Sequence, residues 1–282
     1  MLVFISDLHF VDGTAGKHNV STKAFDGALQ DLKVHAENAK AKEIKIIFLG
    51  DIFDILRTEK WFDVDEDKRP WGANESEQYA VQILNKVISE NQPTFDIFKG
   101  SLKDAYCFRV EPERIYIPGN HDRFFNKYES LRALVRENLG ITGKQAGERF
   151  DHYYLNADYG VFARHGHEFD HYNYEGGKTY SFGDYMRVPL GDPITTELVA
   201  KLPWAIRRRL EDANFSPDEI RRIYTHLQDI ENVRPFGATI DWLFYQVQRQ
   251  TPLKEIIEDV VHEVVQDFEK LTFVQKWYDR HD

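Results

Sequence analysis

Four short apolar runs, each ending in a side chain that can hold a metal ion, constrain this chain more than any other feature. Leu2-Val3-Phe4-Ile5-Ser6 leads into Asp7-Leu8-His9, and Ile44-Lys45-Ile46-Ile47-Phe48-Leu49 leads into Gly50-Asp51. Arg114-Ile115-Tyr116-Ile117-Pro118 leads into Gly119-Asn120-His121-Asp122, and Gly160-Val161-Phe162-Ala163-Arg164 into His165-Gly166-His167. Runs of this length, rich in Val, Ile and Phe, read as buried strands. Phe25, Ala28, Leu29, Leu32, Ala36 and Ala39 recur at helical spacing between the first two runs. Strand, helix, strand makes a βαβ unit, which gives parallel strands. Ligands of open α/β sheets bind beyond the carboxyl ends of the strands. Asp7, His9, Asp51, Asn120 and His165 are therefore expected to meet along one sheet edge.

These residues offer carboxylate oxygens, imidazole nitrogens and an amide oxygen, but no thiolate. That donor set suits Mn, Fe, Zn or Mg rather than a structural zinc knot. A carboxylate has two oxygens and can bridge two ions. Two ions about 3.5–4 Å apart can clamp a phosphoryl group and turn a bound water into a hydroxide nucleophile. Taken singly the motifs are weak, because Asp-x-His fits many turns and Gly-Asp is ordinary turn chemistry. Their order, and their common place at strand ends, carries the signal.

In that order the motifs resemble the calcineurin-like metallophosphoesterase family, over roughly the first 170 residues. The family's D-x-H appears as Asp7-Leu8-His9, its G-D-x-x-D as Gly50-Asp51-Ile52-Phe53-Asp54, and its G-N-H-[DE] as Gly119-Asn120-His121-Asp122. His165 stands for its single histidine. The resemblance implies an α/β fold, a sandwich of two sheets flanked by helices. It implies a hydrolase with two divalent cations, Mn first and Fe, Zn or Mg as alternatives, acting on a phosphomonoester, phosphodiester or pyrophosphate. Asp7 and His9 would hold the first ion, Asp51 would bridge, and Asn120 and His165 would hold the second. His121 would face the substrate phosphate with Asp122 orienting it. His167, Asp54 and Arg123 are further candidates for metal or substrate. In motif style the chain is most similar to the UDP-diacylglucosamine pyrophosphatase branch. It departs where that branch has His-Gly-Asp in its fourth motif and Arg in place of His121, so the branch's lipid substrate does not transfer.

The family's closing G-H-x-H pair is missing. Either the chain stops before that motif, or His167 or a downstream histidine (His226, His262 or His281) substitutes. Residues 1–175 are expected to form the metallophosphoesterase core, with an insertion at about 57–105. Residues 176–282 are expected to be a mainly helical cap. There Ser216-Pro217-Asp218-Glu219 has the form of a capping box and Val260, Val261, Val264, Val265, Phe268 and Leu271 form a stripe.

A formal net charge of -11 repels a phosphate backbone, so a phosphorylated small molecule or nucleotide-like substrate is expected rather than nucleic acid. This counts against a nuclease of the DNA-repair branch. Arg207-Arg208-Arg209 with Arg221-Arg222 reads as a solvated helix face. A non-catalytic metal-binding scaffold is the third reading. The lone cysteine, Cys107, is expected in the core and suits a reducing, cytoplasmic setting. No apolar run approaches the ~18–20 residues of a membrane span. Oligomeric state leaves no mark in the sequence.

Overall fold

The computed structural model describes residues 1–18, 20–230, 238–247 and 251–281. Strands β1 (Leu2–Ile5), β2 (Lys45–Leu49) and β3 (Glu113–Ile117) form a parallel sheet in the order β1-β2-β3, with Ile5 opposite Phe48 and Leu49 opposite Ile117. Strands β4 (Tyr154–Asn156) and β5 (Val161–Ala163) form a separate antiparallel hairpin. Side chains alternate across a strand, so β2 presents Ile47 to one face and Phe48 to the other. Ile47 and Ile117 pack on Tyr154, Val161 and Ala163 of the hairpin, which makes the two sheets a sandwich. On the opposite face Phe48 meets Phe98 edge-on at 5.2 Å. Both faces of the parallel sheet are thus covered, which is why its strands read as nearly continuous apolar runs.

The helices of that second layer are α1 (Thr22–Asn38), α2 (Glu77–Glu90), α3 (Gln92–Lys99), α4 (Leu102–Tyr106) and α5 (Glu129–Leu139). Ser21 caps α1 by accepting from the Ala24 N–H, and Gly140 ends α5. The stretch from Phe10 to Val20 is polar and Gly-containing, which predicts a loop beginning at Phe10. Phe10 is fully buried instead, forms a β-bridge with Phe53 and packs on Phe95 at 4.8 Å. Cys107 is also not the core residue expected. It is exposed at the left-handed C-cap of α4 (φ 56°), and the turn carries its thiol outward.

Contacts divide the chain into two units. The first comprises 1–12, 18–55 and 77–187; the second comprises 13–17, 56–76 and 188–282. The segment from 57 to 105 is thus shared between them, and the first unit runs on to Arg187. Helix α6 (Phe182–Tyr185) closes the first unit. The second unit holds α7 (Gly191–Ile194), α8 (Lys201–Asp212), α9 (Pro217–Leu227), α10 (Ala238–Val247), α11 (Thr251–Lys270) and α12 (Thr272–His281), and no strand among its described residues. The capping box at Ser216 and Glu219 forms as expected. Val260, Val261 and Val264 of α11 join Leu202, Ile206 and Leu210 of α8 in its core. Three of the arginines singled out in the sequence are paired with carboxylates. Arg207 pairs with Glu59, Arg209 with Glu263 and Arg221 with Asp218. No described helix is long and apolar enough to cross a membrane.

Candidate metal centre

The parallel strands end together, and the turns beyond β1 and β2 run side by side. The Asp7 N–H donates to the Gly50 carbonyl (3.1 Å) and the His9 N–H to the Asp51 carbonyl (2.9 Å). Asp7, His9 and Asp51 all adopt left-handed backbone conformations, with φ of 54°, 47° and 53°. Such conformations are uncommon outside glycine, though Asp and His tolerate them better than most. They cost of order 1–3 kcal/mol each and cluster at functional sites.

Two glycines make room. Gly50 has φ +84°, and a Cβ there would lie 2.4 Å from His165 Nδ1. A Cβ on Gly119 would lie 2.2 Å from Asp51 Oδ1. The Gly-Asp and Gly-Asn pairs therefore have a steric cause: any side chain at either position would occupy the place of a candidate ligand.

Donor atoms fall into two groups that share Asp51. One contains His9, Asp51 and His121, the other Asp7, Asp51 and His165, with the atoms of each group within 4.8 Å of one another. This grouping sets Asp7 beside His165, where the family resemblance paired Asp7 with His9. Asp51 is buried, and its Oδ2 lies 3.3 Å from His165 Nε2 and 3.8 Å from His9 Nε2. Its Oδ1 accepts from the His121 N–H at 2.9 Å.

The imidazoles are held from behind. His9 Nδ1 contacts Asp54 Oδ2 at 3.1 Å, and His121 Nδ1 lies 2.8 Å from the same oxygen. His165 Nδ1 lies 3.0 Å from the Leu49 carbonyl. A carboxylate or carbonyl only accepts, so the Nδ1 of His9 and of His165 carries a proton and their Nε2 atoms are the nitrogens turned to Asp51. Anchoring of one ring nitrogen on a carboxylate or carbonyl is the usual outer support of a metal-bound histidine. The residues thus fit a pair of divalent cations: a shared buried carboxylate, hard oxygen and imidazole donors, and the rings of His9 and His165 anchored at Nδ1.

The charges agree. Burial alone would raise the Asp51 carboxyl, but the imidazoles of His121, His165 and His9 hold it far below the usual carboxylate range. Burial alone would lower the His165 imidazole, but the bond to Asp51 and its charge lift it to about 9. Without cations, an imidazolium takes their place beside Asp51.

Asp122 was expected to orient His121. Instead it is completely buried, and its carboxylate bonds to other groups. Its Oδ2 accepts from the Ile52 N–H (3.1 Å) and from the Tyr116 hydroxyl, and its Oδ1 from the Gly119 N–H. It fastens the turn after β3 to the turn after β2, and it is Asp54 that lies against His121. Burial and the nearby Asp51 charge raise the Asp122 carboxyl to about 7.

Asn120 is buried, and its amide nitrogen donates to Asn173 Oδ1 at 3.3 Å. His167 lies outside both donor groups. Burial lowers its imidazole to about 4, and it packs between Tyr174 and Tyr185. His152 stacks on Tyr185 at 3.7 Å, out of both groups. Arg123 is buried, with its guanidinium 5.9 Å from the centre of the Phe124 ring. His226, His262 and His281 are exposed on helices of the second unit. Sequence reading passed over Asn173 and the Leu49 carbonyl. Asn173 stood in an aromatic stretch with no motif to mark it, and a backbone acceptor leaves no trace in residue identity.

A family model described as calcineurin-like phosphoesterase matches residues 1–242. No curated protein and no solved structure matches the chain.

Proposed function

Because the chain belongs to the calcineurin-like phosphoesterase family, we propose that it hydrolyses a phosphate ester or pyrophosphate of a small, nucleotide-like molecule at the centre built around Asp51. The observation that carries this reading is one buried carboxylate shared by two donor groups, with the Nε2 atoms of His9 and His165 turned to the same oxygen. Asp7, Asp51 and His165 would hold one cation and His9 with Asp51 the other, and Asn120 would add its amide oxygen. Manganese suits the oxygen and imidazole donors, as do iron, zinc and magnesium. When bound, a pair of divalent cations supplies Lewis acidity at the phosphoryl oxygens and lowers the pKa of water.

The protein's own groups do the rest. His121 is partly exposed with its Nδ1 beside Asp54, so as an imidazolium it can give a proton to the leaving oxygen and become neutral. Asp54 Oδ2 keeps His9 in one tautomer and lies against the His121 ring. Asp122 and Gly119 set the depth at which the turn carrying Asn120 and His121 lies. The pairing of Arg207, Arg209 and Arg221 with carboxylates and the net charge of -11 favour a small substrate over a nuclease reading.

The test is hydrolysis of an aryl phosphate, a bis-aryl phosphate and a pyrophosphate by protein loaded with Mn. Turnover of at least one, lost in Asp51→Asn, is expected. Tight Mn binding without turnover of any would make the chain a metal-binding scaffold and reject the reading.

A further inference from the structure

An amide side chain ligates a hard cation through oxygen only, and its two ends are nearly the same size and shape. Asn120 is useful as a ligand only if something decides which end faces the site. The structure contains a chain of bonds that decides it. Asp170 is an acceptor at both oxygens. Its Oδ2 takes the Asn173 amide N–H at 2.8 Å and its Oδ1 takes the Tyr172 N–H at 2.9 Å. The Asp170 carbonyl also accepts from the backbone N–H groups of Asn173 (3.0 Å) and Tyr174 (2.9 Å), so the turn is held at both ends. With its nitrogen committed to a carboxylate, Asn173 must offer its Oδ1 in the other direction. That oxygen lies 3.3 Å from the Asn120 amide nitrogen and accepts from it. A flipped Asn120 would set oxygen against oxygen.

We propose that Asp170 and Asn173 are positioning residues that fix the amide of Asn120, so that its oxygen is the atom presented to a cation. The proposal rests on the metal-dependent reading above. It gives a role to a turn just after the last recognisable motif, where the family pattern assigns nothing in this sequence.

The experiment is a double-mutant cycle read by calorimetric titration of the full-length protein with Mn alone. Asn173→Leu keeps the size of the side chain and removes both amide ends. It is expected to weaken the Mn affinity about 10–100-fold, the usual effect of losing a support behind a ligand. Asn120→Asp carries two equivalent oxygens and needs no orienting partner. In that background Asn173→Leu is expected to cost no further affinity, because the coupling between the two positions is gone. Equal losses in both backgrounds would mark Asn173 as a structural residue and overturn the proposal. Unchanged affinity in Asn173→Leu would overturn it too. Failure of the wild-type protein to bind Mn at all would remove the parent reading, and the proposal with it, which is a different result from either of these.

Discussion

Gly119→Ala tests the architecture of the site with a single methyl group. The added Cβ would lie 2.2 Å from Asp51 Oδ1 and 2.7 Å from the Asp51 backbone nitrogen. An ordinary carbon–oxygen contact is about 3.3 Å or more, so the carboxylate must retreat by about 1 Å. That oxygen also accepts the His121 N–H at 2.9 Å, so the turn bearing His121 would shift as well. A displacement of this size in a catalytic group costs about 100-fold in rate, equivalent to roughly 2.7 kcal/mol in the barrier. Overpacking adds about 1–3 kcal/mol of lost stability. Gly119 does not have a positive φ, so backbone strain does not confuse the result. The assay is aryl phosphate turnover with Mn, alongside ion content by elemental analysis and urea unfolding. Gly27→Ala is the control: it lies in α1 with nothing within 4 Å of the added carbon. Wild-type turnover and ion content in Gly119→Ala would refute the claim that this glycine exists to admit the Asp51 carboxylate. So would an equal loss in the Gly27 variant.

Further outcomes follow from the same geometry. Asp51→Asn is expected to lower Mn content below one ion per chain and to abolish turnover; elemental analysis after gel filtration checks it. His121→Ala is expected to cut turnover by about 10²–10⁴ with both ions retained, and loss of an ion would make His121 a ligand instead. In cation-free protein the His165 imidazole is raised to about 9, above its unfolded value of about 6.5. Its contribution to stability is then complete below about pH 6.5 and is lost as the pH rises through 9, measurable as a falling Tm in chelator. Because a cation must displace that proton, Mn affinity should rise about tenfold per pH unit from 7 to 9, and a flat titration series would refute this. Asp122→Asn turns an amide N–H toward donors that need an acceptor. It is expected to cost about 1–3 kcal/mol in urea unfolding.

The sheet and the candidate ligands were legible because both obey short-range rules. Val, Ile and Phe in runs of four to six mark strands, and Asp, His and Asn at their ends mark the edge where strands deliver side chains. Orientation was not legible. Nothing in Gly119-Asn120-His121-Asp122 tells that Asp122 turns inward to Ile52 and Tyr116 while Asp54, from another strand end, stands behind His121. Such choices are made by whole-chain packing, in which the buried carboxylate finds the backbone N–H groups that lack partners. Phe10 was misread for a related reason. Its polar neighbours predict a loop, yet the bridge to Phe53 and the ring of Phe95 give it a place inside. Cys107 went the other way, because a left-handed turn outweighed its preference for the interior.

Asp7, His9 and Asp51 hold a backbone shape that isolated chains avoid, and Asp51 keeps its charge in a dry place. Folding alone must bear that burden when cations are scarce. Cations that bind only the folded form return it, in proportion to their concentration. The lifetime of such a chain in a cell, and not only its turnover, is thereby tied to how much metal the cell can spare.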